Sequence, residues 1–234
     1  MVVVLTVVNK QKIFIEGENY MNNKPESFRE MEDNVIEYYN KAMETDDQGD
    51  WKNYFDVCEK ATKLGSRLAP VGLAECYTHG YGVNQDMSKG VDVLKKSADD
   101  GNGAAMLMLN KYYRMGIGVE KNEELAFEYL QKAVENGVPV AKSIMARYYA
   151  DGYMVEMDSR KAFKLWQEAF KQGVKQNAQY LAMCYLYGTG TRRNITLARK
   201  YADIAKVSSP DFNDLGVLEK LEQAEKEAKK KLKK

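Results

Sequence analysis

Tyr77-Thr78-His79-Gly80-Tyr81-Gly82-Val83 is followed by Tyr113-Arg114-Met115-Gly116-Ile117-Gly118-Val119, by Tyr149-Ala150-Asp151-Gly152-Tyr153-Met154-Val155 and by Tyr185-Leu186-Tyr187-Gly188-Thr189-Gly190-Thr191. The leading tyrosines fall 36 residues apart each time. The same step joins Ala69, Ala105 and Ala141, then Leu73, Leu109, Met145 and Leu181, and further on Gly101, Gly137 and Gly173. Several residue types recurring at one period mark a repeat array rather than a single globular core. One step upstream, Gly65, Ala61 and Cys58 are in phase with Gly101, Ser97 and Leu94, so a degenerate first copy precedes the four regular ones.

Each copy reads as two helices. Ala105, Met108, Leu109, Tyr112 and Tyr113 recur at steps of three and four and share one helix face. Gly116 stops that helix, because glycine takes the left-handed conformation without a Cβ penalty. Asn122 stands at the N-cap of the second helix, with Asp86, Asp158 and Asn194 at the equivalent places. The second helix buries Ala126, Tyr129, Leu130 and Ala133 and ends at Gly137. Alanines at 126, 162 and 198 and at 133, 169 and 205 let neighbouring helices come close. One such pair cannot bury its apolar face alone, so the array is the stable unit. The fold class is all-α, a right-handed α/α superhelical solenoid of helix-turn-helix repeats.

The expected organisation is an N-terminal extension over 1–27, a degenerate repeat over 28–68, and repeats over 69–104, 105–140, 141–176 and 177–212. A capping helix with a Lys-rich tail follows over 213–234. In the extension, Val2 to Val8, a polar turn and Ile13-Phe14-Ile15 read as a β-hairpin. Beyond Pro210, Leu215, Leu218, Leu221, Ala224 and Ala228 have helical spacing, as a solenoid cap with a polar outer face requires. Residues 217–234 carry seven lysines and four glutamates, a local +3 that leaves −2 for the rest of the chain's +1.

The alanine-leucine-tyrosine-glycine pattern, with its following Asp or Asn and paired alanines, resembles the Sel-one-like repeat (SLR), a relative of the tetratricopeptide repeat with a slightly longer unit. The residues from Ala105 to Gly137 come nearest to it. Departures are Met154 for the second loop glycine, Asn177 for the leading alanine and Gly90 for a mid-helix alanine. The resemblance implies a non-enzymatic adaptor that assembles complexes through an inner surface. Its secreted, cysteine-rich branch has carried a penicillin-hydrolase (β-lactamase-like) label, but that branch pairs cysteines within each repeat and this chain does not. A small-molecule or nucleic-acid-binding solenoid is the third reading.

Composition narrows the chemistry. The chain has 234 residues, 44% of them hydrophobic, with 35 basic and 34 acidic side chains. It is too neutral for a general nucleic-acid binder and too apolar for a disordered chain. Three cysteines at irregular spacing draw no disulfide framework, which points to a reducing compartment, the cytoplasm. No secretory leader and no membrane span is legible, and the mature chain is expected to be the chain as written. The single histidine, His79, excludes mechanisms that need two imidazoles. Cys76 and His79 have a C-x2-H spacing, but Cys76 takes the apolar place of Tyr112 and Tyr148, so no metal centre, cofactor or catalytic residue is expected.

What remains is the inner surface of the first helices, where partner contacts are expected at Glu75, His79, Lys111, Arg114, Arg147, Met183, Leu186 and Tyr187. Lys111, Arg114 and Arg147 read as a basic spot flanked by Met183, Leu186 and Tyr187. That suits a protein or extended peptide with an acidic or carboxylate group beside an apolar residue, with no nucleic acid and no membrane as partner.

Overall fold

The computed structural model describes residues 26–208 and 216–232. Among them are eleven α-helices, one short 3-10 turn and no strand. The chain divides into two compact units, Met1–Ala141 and Lys142–Lys234. The expected β-hairpin over Val2 to Ile15 lies outside the described residues.

The first unit holds three helix pairs: α1 (Glu26–Thr45) with α2 (Gln48–Lys63), α3 (Ala69–His79) with α4 (Met87–Asp99), and α5 (Gly103–Met115) with α6 (Glu123–Glu135). Each pair packs on the next, α2 on α3 and α4 on α5, and the first helices α3 and α5 also touch. The second unit holds most of α7 (Pro139–Asp151), then α8 (Ser159–Lys171), the 3-10 turn Lys175–Asn177, α9 (Ala178–Tyr187), α10 (Ile195–Ser208) and α11 (Val217–Leu232). This is the all-α helical-repeat class.

Local chemistry sets the frame in each regular copy. The signature glycines Gly80, Gly116, Gly152 and Gly188 all sit at positive φ and end their first helices. The signature tyrosine then fixes the loop through its carbonyl, which accepts the backbone N–H of the next N-cap: Asp86 to Tyr77 at 2.8 Å, Asn122 to Tyr113 at 2.8 Å, Asp158 to Tyr149 at 2.9 Å and Asn194 to Tyr185 at 2.8 Å. The four cap side chains accept first-turn N–H groups in turn, from Lys89 at 3.0 Å, Leu125 at 2.8 Å, Lys161 at 2.9 Å and Leu197 at 3.0 Å. Each such cap is worth about 1 kcal/mol.

The second loop glycine has a different duty. A Cβ on Gly82 would run into the Trp51 carbonyl and one on Gly118 into the Met87 carbonyl, so this residue lets the loop lie on the start of the preceding second helix. Met154 occupies the equivalent place and takes the same left-handed conformation, φ 59°, at the expense of Cβ strain.

The buried alanines at 126, 133, 162, 169, 198 and 205 line the helix contacts as the spacing predicts. Asn177 also proves structural. It is buried, and its amide donates to Ser143 Oγ at 2.7 Å, tying α9 to α7. In the first unit Asn102 does comparable work, capping α5 while donating to the Arg67 carbonyl at 2.7 Å. The last helix, α11, lays Val217, Leu221 and Ala224 on Ala198, Ala202 and Ala205, and Arg199 clasps Glu225 through two hydrogen bonds of 2.8 and 3.0 Å.

The first pair departs from the pattern. Instead of a glycine loop, α1 and α2 are joined by Asp46 and Asp47, Asp46 at φ 51° and Asp47 capping α2 through Gly49 at 2.7 Å. Asp46 also accepts the Trp51 indole N–H at 3.1 Å, which anchors an aromatic cluster of Tyr39, Trp51, Tyr54 and Tyr81.

Candidate functional site

The expected contact residues fall into two sets. Glu75 and His79 on α3 and Lys111 and Arg114 on α5 belong to the first unit; Arg147 on α7 and Met183, Leu186 and Tyr187 on α9 belong to the second.

In the first unit the structure brings Glu75 and Lys111 within electrostatic reach of one another. Glu75 is surrounded by protein on most sides yet keeps some contact with water. Burial raises its carboxyl to about 7, and the positive charge of Lys111 works against that rise. Four phenols, Tyr39, Tyr54, Tyr81 and Tyr112, feel its charge. Beside it runs a stack of three rings: Trp51 on Tyr81 with centroids 4.1 Å apart, and Tyr81 on His79 at 5.1 Å. His79 Nδ1 lies 3.0 Å from the Glu75 carbonyl, which orients the ring at the exposed end of the stack. Arg114 is exposed on α5.

Not every inner position is free. Val71 and Thr78, within one turn of Glu75 on α3, and Leu107, one turn before Lys111 on α5, are buried, because a first helix packs against its own partner and against the first helix of the next copy. Thr78 Oγ1 and the Tyr112 hydroxyl share a 2.8 Å hydrogen bond across that contact.

In the second unit Met183 and Tyr187, one turn apart, line a recess of about 140 Å³ with Ala150, Ala162, Trp166, Tyr180 and Cys184. Its walls are mostly apolar and aromatic. Tyr180 stacks on Trp166 at 4.7 Å with the rings nearly parallel. The Trp166 indole N–H is buried and finds no acceptor among the described residues. Arg147 is exposed on α7 one turn before Ala150, so it stands on the helix face that reaches the recess. Tyr187 is 49% exposed, with the Lys220 ammonium 5.7 Å from its ring centre. Leu186 is a correction to its expected place: at 3% exposure it is buried in the core formed with α10 and α11, because the capping helix closes over that side of α9.

The two ring systems were not singled out in the sequence. Trp51 lies in the degenerate copy, where Met87, Glu123, Ser159 and Ile195 are its counterparts at the 36-residue step, so periodicity hides it. Trp166 shows only as a large apolar residue at its repeat position.

The thiols are structural in character. Cys58, Cys76 and Cys184 are free and buried. Desolvation raises Cys58 to about 12 and Cys184 to about 11, and lifts Cys76 well above the ordinary thiol range, which leaves all three protonated and poorly nucleophilic near neutral pH. Among the described residues no group of three or more His, Cys, Asp or Glu side chains stands together as a metal site. No helix among them is long and apolar enough to cross a membrane.

Helix pairs joined by glycine loops, with capped second helices, define a helical-repeat solenoid protein. The repeats match the Sel1 repeat model over residues 68–102, 103–138, 139–174 and 178–205, and the chain belongs to the Sel1 repeat family. Members of that family are generally non-catalytic scaffolds, and their repeats generally mediate protein interactions. Among solved structures, a Sel1 repeat protein from Oxalobacter formigenes is similar at 24% identity and a TM-score of 0.66, over 74% of this chain and 49% of that one. A protective antigen with an SLR fold from uropathogenic Escherichia coli is similar at 24% identity and a TM-score of 0.59, over 66% of this chain and 33% of that one. The chain thus spans about half the length of the first and a third of the second. No curated protein sequence matches it.

Proposed function

We propose that this protein is a non-enzymatic interaction scaffold whose second unit binds a partner polypeptide by taking one apolar side chain into the Met183–Tyr187 recess, with Arg147 receiving an acidic group beside it. The observation that carries the reading is the recess itself, about 140 Å³ in size, open, and lined by two of the residues expected at a partner contact. A cavity of that size suits one leucine, methionine or aromatic ring. An exposed guanidinium one turn from the Ala150 wall adds charge selectivity, since Arg pairs with a carboxylate in a two-pronged geometry. Lys111 and Arg114 offer a further basic contact in the first unit.

Selection of random displayed peptides on the immobilised protein tests this. The expected outcome is an enriched motif pairing Asp or Glu with a large apolar residue, lost on the Met183→Glu variant and weakened at least tenfold by Arg147→Glu. Both positions are partly or fully exposed, so helicity stays intact. Enrichment of motifs without an apolar anchor, or undiminished binding by Met183→Glu, would overturn the assignment.

A further inference from the structure

The first unit carries a surface of a different kind, where a half-buried carboxyl on α3 lies among aromatic rings. Among the described residues the Glu75 carboxylate accepts no hydrogen bond, and although Lys111 is near enough to be felt electrostatically, the two form no ion pair. A carboxylate offers about four lone-pair sites, and here they are open to donors arriving from solvent. Around it stand the buried phenols Tyr39, Tyr54 and Tyr112 and the Trp51–Tyr81–His79 stack, in which Trp51 is buried, Tyr81 is half-buried and the exposed end is the imidazole. Aromatic faces attract cations, and a planar guanidinium both lies flat on rings and bonds a carboxylate through two N–H groups. We propose that Glu75 and the Trp51–Tyr81–His79 stack form a subsite for an arginine side chain of a partner polypeptide.

The assignment follows from sign and shape together. An acidic group would meet a carboxylate here. An uncharged apolar side chain would leave that carboxylate desolvated and unpaired, which opposes binding. A lysine ammonium satisfies the charge but not the flat, ring-lined geometry. Among the described residues Lys111 is the cation that competes for Glu75, so in this subsite it opposes the ligand rather than helping to bind it. The inference rests on the scaffold reading only in that its occupant is a polypeptide side chain; it uses no residue of the Met183–Tyr187 recess and stands or falls separately.

The probe is the peptide acetyl-Gly-Gly-Arg-Gly-Gly-amide, with the citrulline analogue that keeps the shape and removes the charge. Binding is read from the NMR signal of the Trp51 indole, assigned by its absence in Trp51→Phe. The arginine peptide should shift that signal saturably, the citrulline peptide at least fivefold more weakly. Glu75→Gln, which is isosteric and removes a buried charge, should keep the native spectrum and bind both peptides alike. Lys111→Ala should tighten the arginine peptide, and Met183→Glu should leave it unchanged. Affinity should also rise about tenfold from pH 6 to pH 8, following ionisation of a carboxyl near 7. Lys111 also faces it, as do the burial-raised Tyr39, Tyr54, Tyr81, Tyr112, Cys58 and Cys76, whose phenols and thiols stay neutral over that range. The pH rise should persist in His79→Gln, which separates the carboxylate from the imidazole. Equal binding of arginine and citrulline peptides to the parent, full binding by Glu75→Gln, or weaker binding by Lys111→Ala overturns the proposal.

Discussion

Glu75 on α3 and Met183 on α9 hold the same place in the repeat, three 36-residue steps apart, yet their surroundings have opposite chemistry. Around Glu75 the neighbours come from the divergent first pair: Tyr39 on α1, Trp51 and Tyr54 on α2, with Tyr81 laid over Trp51. Around Met183 they come from a regular pair, with Ala150 on α7 and Ala162 and Trp166 on α8. Capping bonds and glycines fix the direction of each first helix, but nothing in that frame dictates which side chain fills a surface position. A repeat array therefore holds its shape while its contact chemistry changes from one copy to the next.

The comparison assumes that each unit keeps its own stability, and the severest perturbation tests that assumption. Leu221 on α11 is fully buried against the last pair. Leu221→Asp places a charge there without a partner, and should destabilise the second unit by about 3–5 kcal/mol. Amide hydrogen exchange is expected to accelerate through α9, α10 and α11 while α2, α3 and α4 keep their protection. Equal loss of protection in α3 would mean one cooperative body, and the contrast between units would lose its basis.

The next effect belongs to the first unit alone. Glu75 is raised in the folded state from 4.5 to about 7, so between those values the folded chain binds more protons than the unfolded one. Stability from this group is therefore full below about pH 4.5, declines as pH rises, and is flat above about 7. At about 1.4 kcal/mol per unit the ceiling is roughly 3 kcal/mol, reduced by the water contact that Glu75 retains. Urea denaturation at pH 5 and pH 8 should show the parent less stable at the higher pH and Glu75→Gln nearly level. Asp50, Asp86 and Asp158 have carboxyls held below their usual range by hydrogen bonds, so their contributions fade only at lower pH. A parent profile that rises from pH 5 to pH 8 would contradict the burial of Glu75.

A smaller effect compares the second loop position between units. Gly118→Ala faces both a positive φ and the Met87 carbonyl, and should cost about 2 kcal/mol. Met154→Gly relieves the same backbone strain and should gain up to about 1 kcal/mol. Opposite signs in paired thermal melts sharpen the comparison; equal signs break it.

The elements most legible in the sequence were those whose cause is local. The period, the caps at Asp86, Asn122, Asp158 and Asn194, and the helix-ending glycines each act through a few neighbouring residues, so their spacing carried them. Met154 and Asn177 were visible as departures, but what they do was not. Asn177 reaches Ser143, 34 residues away, and only packing reveals that bond. The contact residues were half legible for the same reason. Glu75 could be placed on an inner face, while the rings around it, Tyr39 and Trp51, come from the degenerate copy, where the period carries no signal for them. Leu186 read as available because the closure of α11 over α9 leaves no mark at the repeat period.

The smallest predicted effect sets the two tryptophans against each other. Trp51 and Trp166 are both buried and both stacked on a tyrosine, Tyr81 and Tyr180 respectively. They differ at the indole nitrogen: Trp51 donates to Asp46 Oδ1 at 3.1 Å, whereas the buried Trp166 N–H has no acceptor among the described residues. Changing either to Phe removes similar apolar area and leaves a similar void. For Trp51→Phe the loss of a hydrogen bond to a carboxylate is added, and Asp46 is left without its indole donor. For Trp166→Phe an unsatisfied donor is removed, which returns free energy to the folded state. Trp51→Phe should therefore cost about 1–2 kcal/mol more than Trp166→Phe in urea denaturation. Because Trp166 also walls the Met183 recess, its quiet replacement should enlarge that recess and shift the selected apolar anchor toward larger rings. If Trp166→Phe proved the more costly change, its indole would have to be satisfied in solution, and the two units would be more alike at their aromatic centres than their chemistry suggests.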